Sequence, residues 1–177
     1  VPVECEDPET TQYIYLVTSG SELLSFNPAA PPGDQVRDIG FLDCPNLNGA
    51  NPFSMGVDRT GTAHVVYGDG NLYRVSMADA SCEETEFIPG QEGFLVFGMG
   101  YALDEPGGTE DTLFVAEITF GTPSQGVARI DTEALDLEFI GPFSETFSDR
   151  IEMTGSSDGN LWGFFLLPDG TGGWVVN

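Results

Sequence analysis

Residues 53–76 read Phe53-Ser54-Met55-Gly56-Val57-Asp58-Arg59-Thr60-Gly61-Thr62-Ala63-His64-Val65-Val66-Tyr67-Gly68-Asp69-Gly70-Asn71-Leu72-Tyr73-Arg74-Val75-Ser76. Three short strands and two turns are written into this stretch. Phe53 to Asp58 forms the first, strand A, and Arg59-Thr60-Gly61 turns the chain. Thr62 to Tyr67, rich in β-branched residues, is strand B. Gly68-Asp69-Gly70-Asn71 predicts a two-residue hairpin turn, because Asp-Gly and Gly-Asn supply positive φ angles. Leu72 to Val75 is strand C. Glu84 to Ile88 completes the set as strand D, ended by Pro89-Gly90.

The ending of strand C recurs along the chain. Leu24-Ser25-Phe26-Asn27, Tyr73-Arg74-Val75-Ser76, Ala128-Arg129-Ile130-Asp131 and Trp174-Val175-Val176-Asn177 place an apolar residue before a turn at positions 26, 75, 130 and 176. Intervals of this size, filled with short strands, are the mark of propeller blades. The expectation is an all-β, β-propeller-like fold of about four four-stranded antiparallel blades within one domain, residues 1–177. The repeats fall near 1–49, 50–97, 98–150 and 151–177. Strands B to D of the first are Tyr13–Thr18, Leu23–Asn27 and Val36–Phe41. The third has Gly98–Leu103, Thr112–Phe120, Gly126–Asp131 and Leu137–Ile140. The fourth has Ile151–Gly155, Leu161–Leu166 and Gly173–Asn177. The first and last blades are therefore incomplete, leaving open edges at Val1, Val3 and Cys5 and at Trp174 and Val176. A fragment of a longer propeller, a small ring closed by Val1 to Cys5, and a subunit joining copies of itself all account for these edges. Residue 1 is Val rather than Met, which points to a chain cut from a longer precursor.

The strand-turn-strand units Val57-Asp58-Arg59-Thr60-Gly61-Thr62-Ala63-His64-Val65 and Asp158-Gly159-Asn160-Leu161-Trp162-Gly163-Phe164 resemble the bacterial propeller repeats of the NHL, SMP-30 and two-component-regulator kind. The third repeat departs, with the longer Glu105-Pro106-Gly107-Gly108-Thr109-Glu110-Asp111 before its strand B. The resemblance covers nearly the whole chain as a repeat pattern. It implies a fold and no particular reaction.

Composition narrows the partners. The 177 residues carry 29 acidic against 5 basic side chains, a net charge of −24. Such a surface repels nucleic-acid backbones and anionic membranes. No run approaches the ~20 apolar residues of a membrane helix. With 40% apolar and 11% aromatic content the chain folds. Gly and Pro recur between short apolar runs, as many tight turns require. Of the three cysteines, Cys44 closes the first repeat and Cys82 precedes strand D of the second. These are adjacent outer positions, so a Cys44–Cys82 disulfide is expected, with Cys5 free or paired elsewhere. That pairing suits a secreted, extracellular or cell-surface protein. No CxxC metal motif is present.

Candidate chemistry is sparse. Gly155-Ser156-Ser157-Asp158-Gly159 matches G-x-S-x-G, yet it lies between two strands, where turn formation explains it. His64, at the place Trp162 takes in the fourth repeat, reads as a packed residue before a general base. Asp58, Asp104 and Asp158 recur at equivalent strand A ends, with Glu105, Glu110 and Asp111 clustered in the third-repeat insertion. Ends of this kind approach one rim of a propeller, where three carboxylates offer oxygen ligands to Ca2+. SMP-30-like lactonases, by that resemblance, ring a channel metal with acidic residues. Each Asp is equally well explained as the cap of its own turn. Trp162, Trp174, Tyr15, Tyr67, Tyr73 and Tyr101 mostly fill the space between blades. The loops 43–51 and 120–126 are the longest polar connections, where ligand contact tends to fall.

The reading is a non-enzymatic binding or interaction scaffold for a protein or glycan. The alternatives are a self-assembling subunit that pairs blade edges between copies, and a metal-dependent, lactonase-like hydrolase using rim carboxylates.

Overall fold

The computed structural model describes residues 13–45, 48–156, 158–166 and 172–176. Four antiparallel sheets follow one another along the chain. The first holds β1 (Ile14–Val17), β2 (Glu22–Phe26) and β3 (Val36–Phe41). The second holds β4 (Pro52–Val57), β5 (Thr62–Tyr67), β6 (Leu72–Ser76) and β7 (Cys82–Glu84). The third holds β8 (Phe97–Leu103), β9 (Asp111–Glu117), β10 (Val127–Ile130) and β11 (Leu137–Gly141). The fourth holds β12 (Ile151–Gly155), β13 (Leu161–Leu166) and β14 (Gly172–Val176). Among the described residues these are four blades of an all-β, propeller-like fold, with three strands in the first and last sheets and four in the others.

Each inner sheet is covered on both faces, which explains why its strands are apolar almost throughout. Successive residues of β5 divide between two cores. Val65 and Tyr67 join Leu23 and Val75 against the first sheet. Val66 joins Leu72, Phe97, Met99 and Val115 against the third. A further cluster of Ile118, Phe147, Ile151 and Phe165 lies between the third and fourth sheets, with the Phe147 and Phe165 rings stacked at 3.9 Å.

The inner strands β4, β8 and β12 pack side by side, β8 in the middle. Backbone meets backbone there. A Cβ on Gly98 would collide with the Ile151 carbonyl, and one on Gly100 would lie 2.6 Å from the Met153 oxygen. The buried Ser54 fastens the three strands together: its Oγ accepts from Met99 N on β8 at 3.1 Å and donates to Glu152 Oε2 on β12 at 2.8 Å.

Three local expectations change. The Gly68–Asn71 hairpin is a three-residue loop, closed by Tyr67 N to Asn71 O at 2.9 Å, with positive φ at Gly70. The same loop recurs at Asp58–Thr62, closed at 2.9 Å. Strand D of the second blade is Cys82–Glu84, not Glu84 to Ile88. The Thr85 hydroxyl turns inward to donate to Leu72 O at 2.6 Å, and Phe87 drops into the core against Phe97. Side-chain bonding and burial thus end the ladder early. Strand B of the third blade also stops at Glu117 rather than Phe120. Cys44 and Cys82 form the expected disulfide, joining the outer parts of the first two blades.

Gly98→Ala should destabilise the fold by about 3 kcal/mol or more, because the neighbouring carbonyl has no room to withdraw. Gly141→Ala, where a Cβ meets nothing within 4 Å, should stay within about 0.5 kcal/mol of the parent. Urea denaturation of both variants checks the pair.

Candidate functional site

A cleft of about 500 Å³ opens where β4, β8 and β12 meet the first sheet. Tyr15, Met55, Asp58, Tyr101, Asp111 and Met153 are among its walls. Its floor is organised by a glycine. Gly56 stands directly opposite His64 in register, and a Cβ on it would come within 3.2 Å of the Tyr101 ring. Without that Cβ, Tyr101 leans across β4 and its hydroxyl meets His64 Nδ1 at 2.8 Å.

His64 is 2% exposed, and its Nε2 is buried without a hydrogen-bond partner. Burial, assisted by the positive charge of Arg74 and opposed by Asp58, lowers its pKa from 6.5 to about 4. The imidazole is neutral at pH 7 and serves as a packed anchor for Tyr101. Burial, then the charges of Asp58 and Asp111, push the Tyr101 phenol well up, so it too stays neutral.

The carboxylates hold the turns around the cleft. Asp58 Oδ1 accepts from Thr60 N at 2.9 Å, Thr60 Oγ1 at 2.7 Å and Thr62 N at 2.8 Å. Asp111 Oδ2 accepts from Arg59 N at 2.9 Å, and the Arg59 guanidinium donates to Gly108 O at 3.1 Å. These bonds tie the third-repeat insertion to the second blade. Burial raises the Asp111 pKa, with Asp58 and Asp104 adding to the rise against the opposing pull of Arg59. Glu152 is exposed as a residue, yet desolvation still raises its pKa against the Ser54 bond.

Of the predicted metal ligands, Asp58 is engaged as above, Asp104 accepts from Thr112 Oγ1 at 2.7 Å, and Asp158 accepts from Ser156 Oγ at 2.5 Å. Among the described residues no three His, Cys, Asp or Glu side chains are grouped to hold a metal. Ser157, the serine of G-x-S-x-G, lies outside the described residues. Ser156, after the end of β12, accepts from Trp162 Nε1 at 3.1 Å. Val1, Val3 and Cys5 also lie outside the described residues. Trp174 and Val176 fall on β14, which pairs with β13 at one end of the fourth sheet. Ser54, Arg59 and Glu152 escaped the sequence reading, since a lone Ser, Arg or Glu in an unremarkable position carries no spacing signal.

The geometry has solved counterparts. The chain is similar to a structural-genomics protein of unknown function from Bacteroides thetaiotaomicron, at 16% identity and a TM-score of 0.55, over 96% of this chain and 46% of that one. It is also similar to the Dos1 propeller, at 10% identity and a TM-score of 0.51, over 90% of this chain and 40% of that one. The fold is propeller-like. This chain spans less than half the length of either structure. No family profile matches it, and no curated protein does.

The buried histidine makes stability pH-dependent. Its folded pKa lies below the unfolded value, so the unfolded chain takes up the proton first. The stabilisation is complete above pH 6.5 and is lost as pH falls towards 4. Against His64→Gln, the parent should lose about 3 kcal/mol across that window. Chemical denaturation at a series of pH values reads the difference, and parallel curves would refute it.

Proposed function

We propose that this chain is a non-enzymatic binding scaffold, working in a secreted or cell-surface setting, that takes a protein or glycan group into the central cleft. The observation that carries this reading is the cleft itself. Among its lining side chains the Tyr101 hydroxyl is bonded to the buried His64 and one oxygen of Asp111 to the Arg59 amide, while Tyr13, Tyr15, Met55 and Met153 add aromatic and thioether wall. Rigid aromatic walls gain contact area at low entropic cost. The Cys44–Cys82 disulfide supports an oxidising compartment. Panning glycan and peptide arrays with the parent and with Tyr15→Ala tests the reading. Ligands retained by the parent and weakened at least about tenfold in the variant are expected. Ligands indifferent to Tyr15 would move the site elsewhere, and turnover of any of them would end the non-enzymatic reading.

Self-association is the second reading, favoured by the outer face of the first sheet. Ile14, Phe26 and Val36 share one rung, and Leu16 and Leu24 the rung two residues along. Ile14, Leu16 and Val36 are 53%, 43% and 56% exposed. Such a face resembles the blade faces covered elsewhere in this molecule. A second copy seated on it predicts a dimer that strengthens with salt, as −24 of charge on each copy is screened. Light scattering should then show the dimer lost in Leu16→Lys, and a monomer at every concentration and salt level removes this reading.

A further inference from the structure

We propose that the group bound in the central cleft is an organic cation, an alkylammonium of the kind carried by a lysine side chain. This rests on the cleft being the binding site and goes beyond it by naming the ligand's chemistry. Three observations converge on it.

The first is charge. Asp58 and Asp111 both line the cleft, whose one cationic lining side chain among the described residues is Arg59. The Arg59 guanidinium is drawn aside to the Gly108 carbonyl. Two aspartates against one arginine leave the lining with a net formal charge of −1. The chain's net −24 repels an anionic ligand and attracts a cationic one.

The second is spare acceptor capacity. The turn bonds to Asp58 described above all end on Oδ1, and the Arg59 amide binds Oδ2 of Asp111. Each carboxylate therefore keeps an oxygen outside those bonds, and an ammonium has three donors to offer.

The third observation separates an organic cation from a metal ion. Ca2+ takes 6–8 oxygen ligands, and the described residues gather no three carboxylates around one point. The remaining walls include Tyr13, Tyr15 and Tyr101 with Met55 and Met153, beside aliphatic residues such as Ile14 and Leu103. Aromatic rings and thioethers suit the alkyl chain and the diffuse charge of an organic cation. They do nothing for a small hard ion.

The test is an NMR titration of the whole chain with its methionine methyls labelled. The probes are n-butylammonium, N-acetyl-lysine-amide, neutral n-butanol and anionic butyrate, each at low and high salt. Shifts of the Met55 and Met153 methyls with both ammonium probes, absent with butanol and butyrate, are expected. Shifts with the lysine amide alone would support the proposal and assign the cation to a peptide. Asp111→Asn should weaken binding at least about tenfold, while Glu86→Gln, which removes one exposed charge outside the cleft, should not. Equal weakening by both substitutions would reduce the effect to bulk charge and overturn the proposal. Butanol or butyrate binding in place of the ammonium probes would overturn it while leaving the cleft as a binding site. Silence at both methyls with every probe would overturn it and count against the cleft as well.

Discussion

Everything in this molecule hangs on the near-contact of three inner strands. β8 can lie against β12 because Gly98, Gly100 and Gly155 present no Cβ to the opposing carbonyls. Once the backbones are that close, the Ser54 hydroxyl can accept from one strand and donate to the next. Few side chains are short enough to do so. The sheets then fan outward from this seam, and the wedges between them are filled by the aromatic and branched side chains of three separate clusters. A wider seam would leave those wedges underfilled and remove the walls of the cleft.

Close packing also sets the electrostatics. A chain with 29 acidic residues can leave most of them in water, where repulsion is screened. The groups beside the inner strands are desolvated to a greater degree. Desolvation lowers the His64 pKa and raises those of Asp111, Tyr101 and Glu152, in each case favouring the uncharged form. The His64–Tyr101 bond is one solution, a neutral pair spanning the second and third blades. The Arg59–Asp111 bond is another, using a backbone amide so that the guanidinium is left for the insertion.

Much of this was legible in the order of residues. β5, β12 and β13 run as expected from Thr62 to Tyr67, Ile151 to Gly155 and Leu161 to Leu166, because short runs of β-branched and aromatic residues beside Gly-containing turns favour extended backbone. The disulfide followed from placing Cys44 and Cys82 on adjacent blades. The equivalence of His64 and Trp162 also survives in the register, since each lies two residues past the residue that closes its hairpin, Thr62 and Asn160. Misreadings came where a side chain far from the local pattern intervened. Thr85 and Phe87 look like strand residues until the core beneath them is present. Tyr101 and Asp111 were visible as an aromatic and an acid, but nothing local joins them to His64 and Arg59.

The sequence by itself determined the succession of antiparallel sheets and the strand order within them. Strand period and turn chemistry act over a few residues, and a repeat multiplies their signal. Only the tertiary structure decided the cleft. Its parts, Tyr15, Met55, Tyr101 and Met153 among them, come from four different sheets, and no periodicity relates Gly56 to Tyr101. Their meeting depends on how close two backbones can come, a property of packed surfaces that no single stretch of chain records.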